Sequence, residues 1–113
     1  MKYEGKGKVL RIYLNKYTHH EKEFLYDVIV KKGYEMGLAG VMIFNGIEGF
    51  GFCCPACKTL NLGVTASTCQ PLIAEFIDTE EKIAAFLPFV KQVMKKGGIV
   101  IYDAAIDFDN FEH

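Results

Sequence analysis

No apolar run in this 113-residue chain approaches the ~18 residues that a membrane-spanning helix requires, so we expect no direct membrane insertion. The first residues also lack a hydrophobic segment of the signal-peptide type, which predicts a cytoplasmic protein. Cysteine is restricted to four residues. In the cytoplasm such thiols stay reduced or bind metals rather than forming structural disulfides.

The chain also lacks an excess of charge of either sign. Thirteen Lys and Arg residues stand against 14 Asp and Glu residues, without the basic surplus typical of nucleic-acid-binding domains. We therefore expect no nucleic-acid partner. Neither a linker nor a low-complexity segment divides the sequence, and 50% of its residues are hydrophobic. This composition predicts a single globular domain over residues 1–113.

The pattern of apolar residues predicts four strands, which cover residues 8–15, 40–52, 71–78 and 99–108. Residues 53–69 show no regular period and are predicted to form a long loop.

Two helices are predicted between these strands. Residues 18–21 (THHE) have the form of a capping box, which predicts a first helix that ends near Gly37. Thr79 begins the second helix, residues 97–98 end it, and Pro88 inside it should cause a kink. The order βαββαβ predicts a ferredoxin-like α+β fold, an antiparallel four-stranded sheet with two helices on one face.

This architecture leaves one face of the sheet without helices. Residues 40–44 and 99–106 are nearly continuous apolar runs, which are typical of strands covered on both faces. An exposed apolar patch beyond a few hundred Å² is rare on a soluble monomer. We infer that a closed symmetric oligomer covers the face. The alternative is that the C-terminal stretch 108–113 folds over part of it. Glu75, among apolar neighbours on a central strand, is expected to be buried or to lie at a subunit contact.

Five segments, taken together, resemble a family of small PII-like proteins. In chain order they are residues 8–13 (KVLRIY), 25–30 (LYDVIV), 37–40 (GLAG), 45–51 (NGIEGFG) and 77–88, where IDTEEKI is followed by FLP. The resemblance covers roughly residues 4–107, nearly the whole chain. PII nitrogen regulators are trimers of ferredoxin-like subunits. The resemblance therefore implies a homotrimeric signalling protein, and we expect it to require no cofactor.

The resemblance also implies ligand sites. In PII regulators a small-molecule effector, such as an adenine nucleotide, binds in clefts between subunits, and a glycine and lysine segment before the fourth strand holds its phosphates. The matching residues here are Lys95, Lys96, Gly97 and Gly98, with the lysines ahead of the glycines. An ordinary cationic helix C-terminus with a glycine cap accounts for the same pattern. The family further implies a partner protein, with membrane transporters as the suspected class, contacted through the 53–69 loop.

Gly46, Gly49 and Gly51 lead into this loop, whose base touches nucleotide in PII regulators. Glycine there would let a ligand approach the backbone closely. A twisted or bulged strand end uses glycine for the same reason, so both interpretations stay open.

The loop departs from the PII-like family in being rich in cysteine. Cys54 and Cys57 have the spacing that lets two thiolates converge on one Zn²⁺ or another thiophilic metal ion, and Cys69 is the candidate third ligand. Cys53 is a poorer fourth ligand, because it directly precedes Cys54. A reversible thiol–disulfide switch and inert loop thiols are the alternatives. Metal binding or a thiol–disulfide switch would make the chain a metal- or redox-responsive binding protein.

No catalytic motif accompanies these features. The acidic residues include no convincing catalytic pair, and the sequence contains no P-loop or nucleophile elbow, so we do not expect an enzyme. His19 and His20 are candidate metal ligands, although such a pair is more often solvated.

Overall fold

The computed structural model of the chain describes residues 3–49, 51 and 70–108. Within these residues the elements are, in chain order, β1 (Tyr3–Asn15), β2 (His19–His20), β3 (Glu23–Phe24), α1 (Leu25–Glu35), β4 (Val41–Asn45), β5 (Pro71–Asp78), α2 (Glu80–Val93) and β6 (Gly98–Phe108). Strands β4, β5, β1 and β6 pair in that spatial order, all antiparallel, into one sheet. The predicted ferredoxin-like α+β fold is confirmed, with a small β2–β3 hairpin added.

In the second half of the chain the structure agrees closely with the elements predicted from the sequence. Strand β5 covers the predicted residues, with Pro71 at the first position, where its missing N–H does least harm. The Thr79 side chain accepts a hydrogen bond from the Lys82 backbone N–H and so caps α2. Helix α2 continues through Pro88, and the kink expected there stays a prediction. It ends at Val93, so Lys95 and Lys96 lie beyond its last turn rather than within it.

The first helix begins later than predicted, and the capping box at residues 18–21 was wrong. Those residues enter the β2–β3 hairpin, where His19 pairs with Phe24. Glu21 at the turn has a φ of 57°, which reverses the chain before a helix can start. Helix α1 therefore begins at Leu25, without a side-chain cap. Gly37, with a φ of 77°, occupies the left-handed position just past the helix end, as predicted.

Two strand boundaries also differ from the predictions. Strand β1 begins at Tyr3 rather than at residue 8, because the glycine-rich start still pairs with β6. Strand β4 is confined to residues 41–45 instead of 40–52. Its pairing with β5 stops near the start of β5 at Pro71, and residues 46–49 pair with no strand in the described part of the chain. The predicted loop at residues 53–69 lies outside the described residues.

One hydrophobic core lies between the helices and the sheet. It draws on both helices and on alternate positions of β1 and β5, and its largest fully buried members are Leu10, Ile12, Leu14, Ile29, Leu72, Phe76, Ile83, Phe86 and Val90. The rings of Phe76 and Phe86 meet edge to face, with centroids 4.8 Å apart. Both helices therefore cover the same side of the sheet. Neither of these helices is long and apolar enough to cross a membrane.

The opposite side of the sheet has no helix over it in the described part of the chain. We call it the open face, and it is formed by Val9, Arg11, Tyr13, Met42, Phe44, Ile73, Glu75, Ile77, Val100 and Tyr102, whose side chains point away from the core. The exposed fractions are 61% for Met42, 42% for Phe44, and 43% for both Val100 and Tyr102. Within the described residues, the sheet thus has the uncovered apolar face that two helices on one side imply. Residues 109–113, the alternative cover, lie outside the described residues.

Candidate functional site

The glycines and lysines that the sequence predicts as ligand residues lie at the same end of the sheet. Because neighbouring strands alternate in direction, β1 and β4 end where β5 and β6 begin, at Asn15, Asn45, Pro71 and Gly98. We call this the loop end. Gly46, Gly49 and Gly51 follow β4 there, while Lys95, Lys96 and Gly97 precede β6, of which Gly98 is the first residue. Three strand spacings of ~4.8 Å separate β4 from β6, so the two groups flank opposite edges of the sheet.

Gly46 has a structural reason to be glycine. Its N–H donates to the Pro71 carbonyl at 2.8 Å, and a Cβ there would lie 3.0 Å from the proline ring. Gly49 has only ordinary contact distances to the same ring. Gly51 has a φ of 99°, and no described residue lies within 4 Å of its Cβ position. The strand-end interpretation thus explains Gly46, while close approach of a ligand stays a prediction for all three.

The lysine and glycine segment crosses the end of β1. A Cβ on Gly97 would lie 2.3 Å from the Tyr13 carbonyl oxygen, and its φ of 109° is unfavourable for other residues. Gly97 therefore lets this segment pass directly over the β1 backbone. Lys95 and Lys96 are both exposed beside it. Two exposed ammonium groups next to a glycine turn are chemically suited to attract an anion.

A buried amide that the sequence analysis missed joins the strands at the loop end. Asn15 is buried, and its Oδ1 accepts hydrogen bonds from the backbone N–H groups of Tyr17 (3.0 Å) and Gln70 (3.4 Å). The Gln70 side chain in turn donates to the Gly46 carbonyl at 3.2 Å. This network fixes the β2–β3 hairpin, the start of β5 and the Gly46 segment relative to one another. A polar residue closing an apolar strand was the signal available in the sequence.

The two histidines lie on the hairpin at the same end. His19 Nδ1 lies 2.9 Å from the Tyr17 carbonyl oxygen, and its ring packs on Phe24 with centroids 4.7 Å apart. Within the described residues, no group of three or more His, Cys, Asp or Glu side chains is placed to hold a metal ion. The predicted ligands Cys54, Cys57 and Cys69, together with Cys53, lie outside the described residues.

An ion pair, also missed by the sequence analysis, lies within the open face. Arg11 Nε donates to Glu75 Oε2 at 2.6 Å from directly paired positions of β1 and β5. Hydrogen bonds to Tyr13 and Glu75 raise the pKa of Arg11 above its ordinary value, so the guanidinium stays charged. Only 15% of the Glu75 side chain is exposed. The expectation that Glu75 is buried is thus largely confirmed within the single chain.

The opposite end of the sheet is built for stability. Asp78 is buried and accepts hydrogen bonds from the backbone N–H groups of Ala39 (2.8 Å) and Thr79 (2.6 Å). Lys82 Nζ donates to the Gly37 carbonyl at 2.9 Å. Residues 37–40 and 77–83 are therefore held together by these bonds.

A shallow depression of about 510 Å³ opens near this end of the sheet. It is lined by Lys6, Gly7, Lys8, Glu80, Asp103, Ala104 and Ala105. Lys8 and Asp103 are hydrogen-bonded to each other across it, which raises the pKa of Lys8 and lowers that of Asp103. Because the charges in this depression are mixed in sign, it offers no clear site for an anion.

The sequence is similar to those of known proteins over most of its length. The family DUF190, described as "Uncharacterized ACR, COG1993", matches residues 7–106. The "UPF0166 protein MJ1524" of Methanocaldococcus jannaschii is 34% identical over 97 residues, which are 85% of this chain and 86% of the relative. A "UPF0166 protein" of Aquifex aeolicus is 33% identical over 86 residues, 76% of this chain and 80% of the relative. The match runs from within β1 to within β6 and includes α1 and α2, and the chain belongs to the DUF190 family.

Proposed function

We propose that this protein is a PII-like regulator that acts as a homotrimer. In this proposal a small anionic metabolite, most simply a nucleotide, binds at clefts between subunits and changes how the 53–69 loop contacts a partner protein. The partner would be a membrane transporter, and the protein would act in the cytoplasm without catalysing a reaction. The ferredoxin-like fold and the resemblance to PII regulators support this assignment.

The open face is the observation that carries the proposal. Four of its large apolar side chains, on β4 and β6, are between 42% and 61% exposed in the single chain. Both strands are edges of the sheet, so this apolar surface extends to its two borders. Three copies arranged around an axis would bury these faces against one another and leave no open surface for further copies.

The loop end supports the location of the ligand. Its glycine segment follows β4 at one edge of the sheet, and its lysine segment precedes β6 at the other edge. In the proposed trimer the β4 edge of one subunit would face the β6 edge of the next. The glycine residues 46, 49 and 51 of one copy would then lie near Lys95 and Lys96 of its neighbour, with the charge that phosphate groups require.

Isothermal titration with a panel of adenine and guanine nucleotides tests the ligand. We expect binding to the natural protein and at least about tenfold weaker binding to the Lys95→Ala/Lys96→Ala double variant. Lys91→Ala is the matched control, because Lys91 is an exposed lysine that lies on α2 itself. No heat with any nucleotide, or an equal loss in the control, would contradict the proposal.

A metal- or redox-responsive binding protein is the second candidate function. The spacing of Cys54 and Cys57, with Cys69 later in the same segment, favours it. Elemental analysis of protein purified without chelator should then find about one zinc per chain, and a Cys54→Ser/Cys57→Ser variant should lose it. If the natural protein holds no metal and its thiols resist mild oxidant, this candidate is removed.

A further inference from the structure

Aromatic rings stack along the β2–β3 hairpin, from the core out to solvent. The ring centroids of Phe24 and Tyr26 are 5.8 Å apart with planes inclined by 17°, and His19 packs on Phe24 at 4.7 Å. Tyr26 packs against the hydrophobic core, which anchors the inner end of the stack. His19 forms its exposed outer end. The hairpin therefore presents a ring to solvent on a rigid support.

Tyr17, two residues before His19, carries a second exposed ring, and one hydrogen bond joins its backbone to the His19 ring. His19 Nδ1 lies 2.9 Å from the Tyr17 carbonyl oxygen, and a carbonyl only accepts, so Nδ1 carries the hydrogen. In the neutral ring Nε2 is then a hydrogen-bond acceptor. The Tyr17 side chain is 42% exposed, with Lys16 Nζ 6.0 Å from the centre of its ring. Burial in the core does not account for two rings in these positions.

The hairpin follows β1, and the lysine segment precedes β6, the neighbour of β1 in the sheet. Tyr13 pairs with Gly98, and Gly97 crosses the Tyr13 carbonyl, so Asn15 and Lys96 each lie two residues beyond the same strand pair. The Lys16 N–H donates to the Gln70 carbonyl at 2.9 Å, which fixes the base of the hairpin to β5. The exposed rings of Tyr17 and His19 and the exposed Lys95 and Lys96 thus lie at the loop end of two adjacent strands.

We propose that Tyr17 and His19 form a stacking platform for the base of a nucleotide whose phosphates lie at Lys95 and Lys96. This inference rests on the proposed nucleotide binding and adds the element that recognises the base. Purines are the favoured class, because stacking on tyrosine and histidine increases with the area of the base. Nε2 of neutral His19 can in addition accept a hydrogen bond from an exocyclic amino group.

The test compares ligands with and without a base. The affinities of ATP and inorganic tripolyphosphate are measured for the natural protein and for Tyr17→Leu, His19→Leu and the double variant. Base stacking predicts a loss of about fivefold to 150-fold for ATP in the double variant, with tripolyphosphate affinity unchanged within about twofold. Tyr17→Phe keeps the ring and should keep the affinity for ATP. Tyr34→Leu, at an exposed tyrosine on α1, is the control and should change neither.

The possible outcomes separate this inference from the function beneath it. Equal losses for both ligands, or no loss for ATP, overturn the platform while leaving an anion site in place. A natural protein that binds neither ligand overturns the proposed function itself. If the leucine variants do not fold, the His19 ring protons of the natural protein decide. Saturating ATP should shift them upfield through the ring current of the base, whereas an unchanged spectrum with ATP bound overturns the platform.

Discussion

The two faces of the sheet are built from similar residues but have different surroundings. On the helix side of β5, Leu72, Ala74 and Phe76 are almost completely buried. On its other side, Ile73, Glu75 and Ile77 are only half-buried, although two of the three are as apolar as their neighbours. The helices account for this difference, because both of them cover one face.

The helix side of the sheet stabilises the single chain, whereas the open face remains available for assembly. The helix side buries its aromatic rings in mutual contact, as Phe76 and Phe86 show. The open face keeps Phe44 and Tyr102 in water and holds the Arg11–Glu75 pair among them. We therefore expect substitutions on the helix side to change the free energy of unfolding, and substitutions on the open face to change the oligomeric state.

The largest expected effect is the loss of assembly when a charge is placed on the open face. Phe44→Glu puts a carboxylate into the proposed subunit contact, and its desolvation there would be unfavourable. Sedimentation velocity should show a fall from the trimer mass to the 12.7 kDa of one chain. Tyr34→Glu is the matched control, since Tyr34 is 87% exposed but lies on α1. If both variants sediment alike, the open face is not the contact.

A substitution in the core of the helix side should cost the most free energy of unfolding. Phe86→Ala removes a fully buried ring and leaves a cavity against Phe76, for an expected loss of about 3–5 kcal/mol. Urea unfolding followed by circular dichroism measures it. Tyr34→Ala, at an exposed ring, should stay within about 0.5 kcal/mol of the natural protein. A loss below about 1 kcal/mol for Phe86→Ala would mean that the helix side is not the core.

Gly7→Ala tests a closely packed corner on the side of the sheet that carries the open face. A Cβ on Gly7 would lie 1.9 Å from Ile106 Cδ1 and 2.6 Å from the Asp78 carbonyl oxygen, and the backbone atom cannot move aside easily. We expect a loss of about 1–3 kcal/mol in the same unfolding assay. Gly40→Ala, where none of the described residues lies within 4 Å of the Cβ position, should be nearly neutral. Equal stability of the two variants would contradict the close packing of Ile106 over β1.

The smallest effect concerns the Lys8–Asp103 pair at the border between β1 and β6. The hydrogen bond from Lys8 lowers the pKa of Asp103, so the folded chain binds fewer protons than the unfolded chain in the acid range. The pair's contribution is thus present above the carboxyl pKa of the unfolded chain and is lost as the pH falls through the lower, folded value. As the pH is lowered from 5 to 2, the midpoint of unfolding should fall more for the natural protein than for the Asp103→Asn variant. Parallel curves would mean that the pair contributes nothing.

The sequence predicted the fold well where local and tertiary preferences agree. Strand β5 begins at a proline and alternates cleanly, and α2 carries a threonine cap, so both begin where predicted. The hairpin was missed because residues 18–21 match a capping box, while the chain reversal at Glu21 decides the structure. Strand β4 was predicted too long, because its length depends on where its partner β5 begins.

The candidate site was only partly predictable. The glycine and lysine segments could be identified from composition. Their common position at the loop end depends on the order and direction of four strands. The Asn15–Gln70 contact joins residues 55 positions apart, and Arg11–Glu75 joins residues 64 positions apart. No local pattern encodes such pairs, so they become visible only in the folded chain.

The mass of the natural protein in solution shows whether three chains assemble through the open face. Sedimentation equilibrium at micromolar concentration should give three copies of the 12.7 kDa chain, about 38 kDa. A mass of one chain at every concentration would contradict the account, because the open face would then remain in water and the clefts between subunits would not exist.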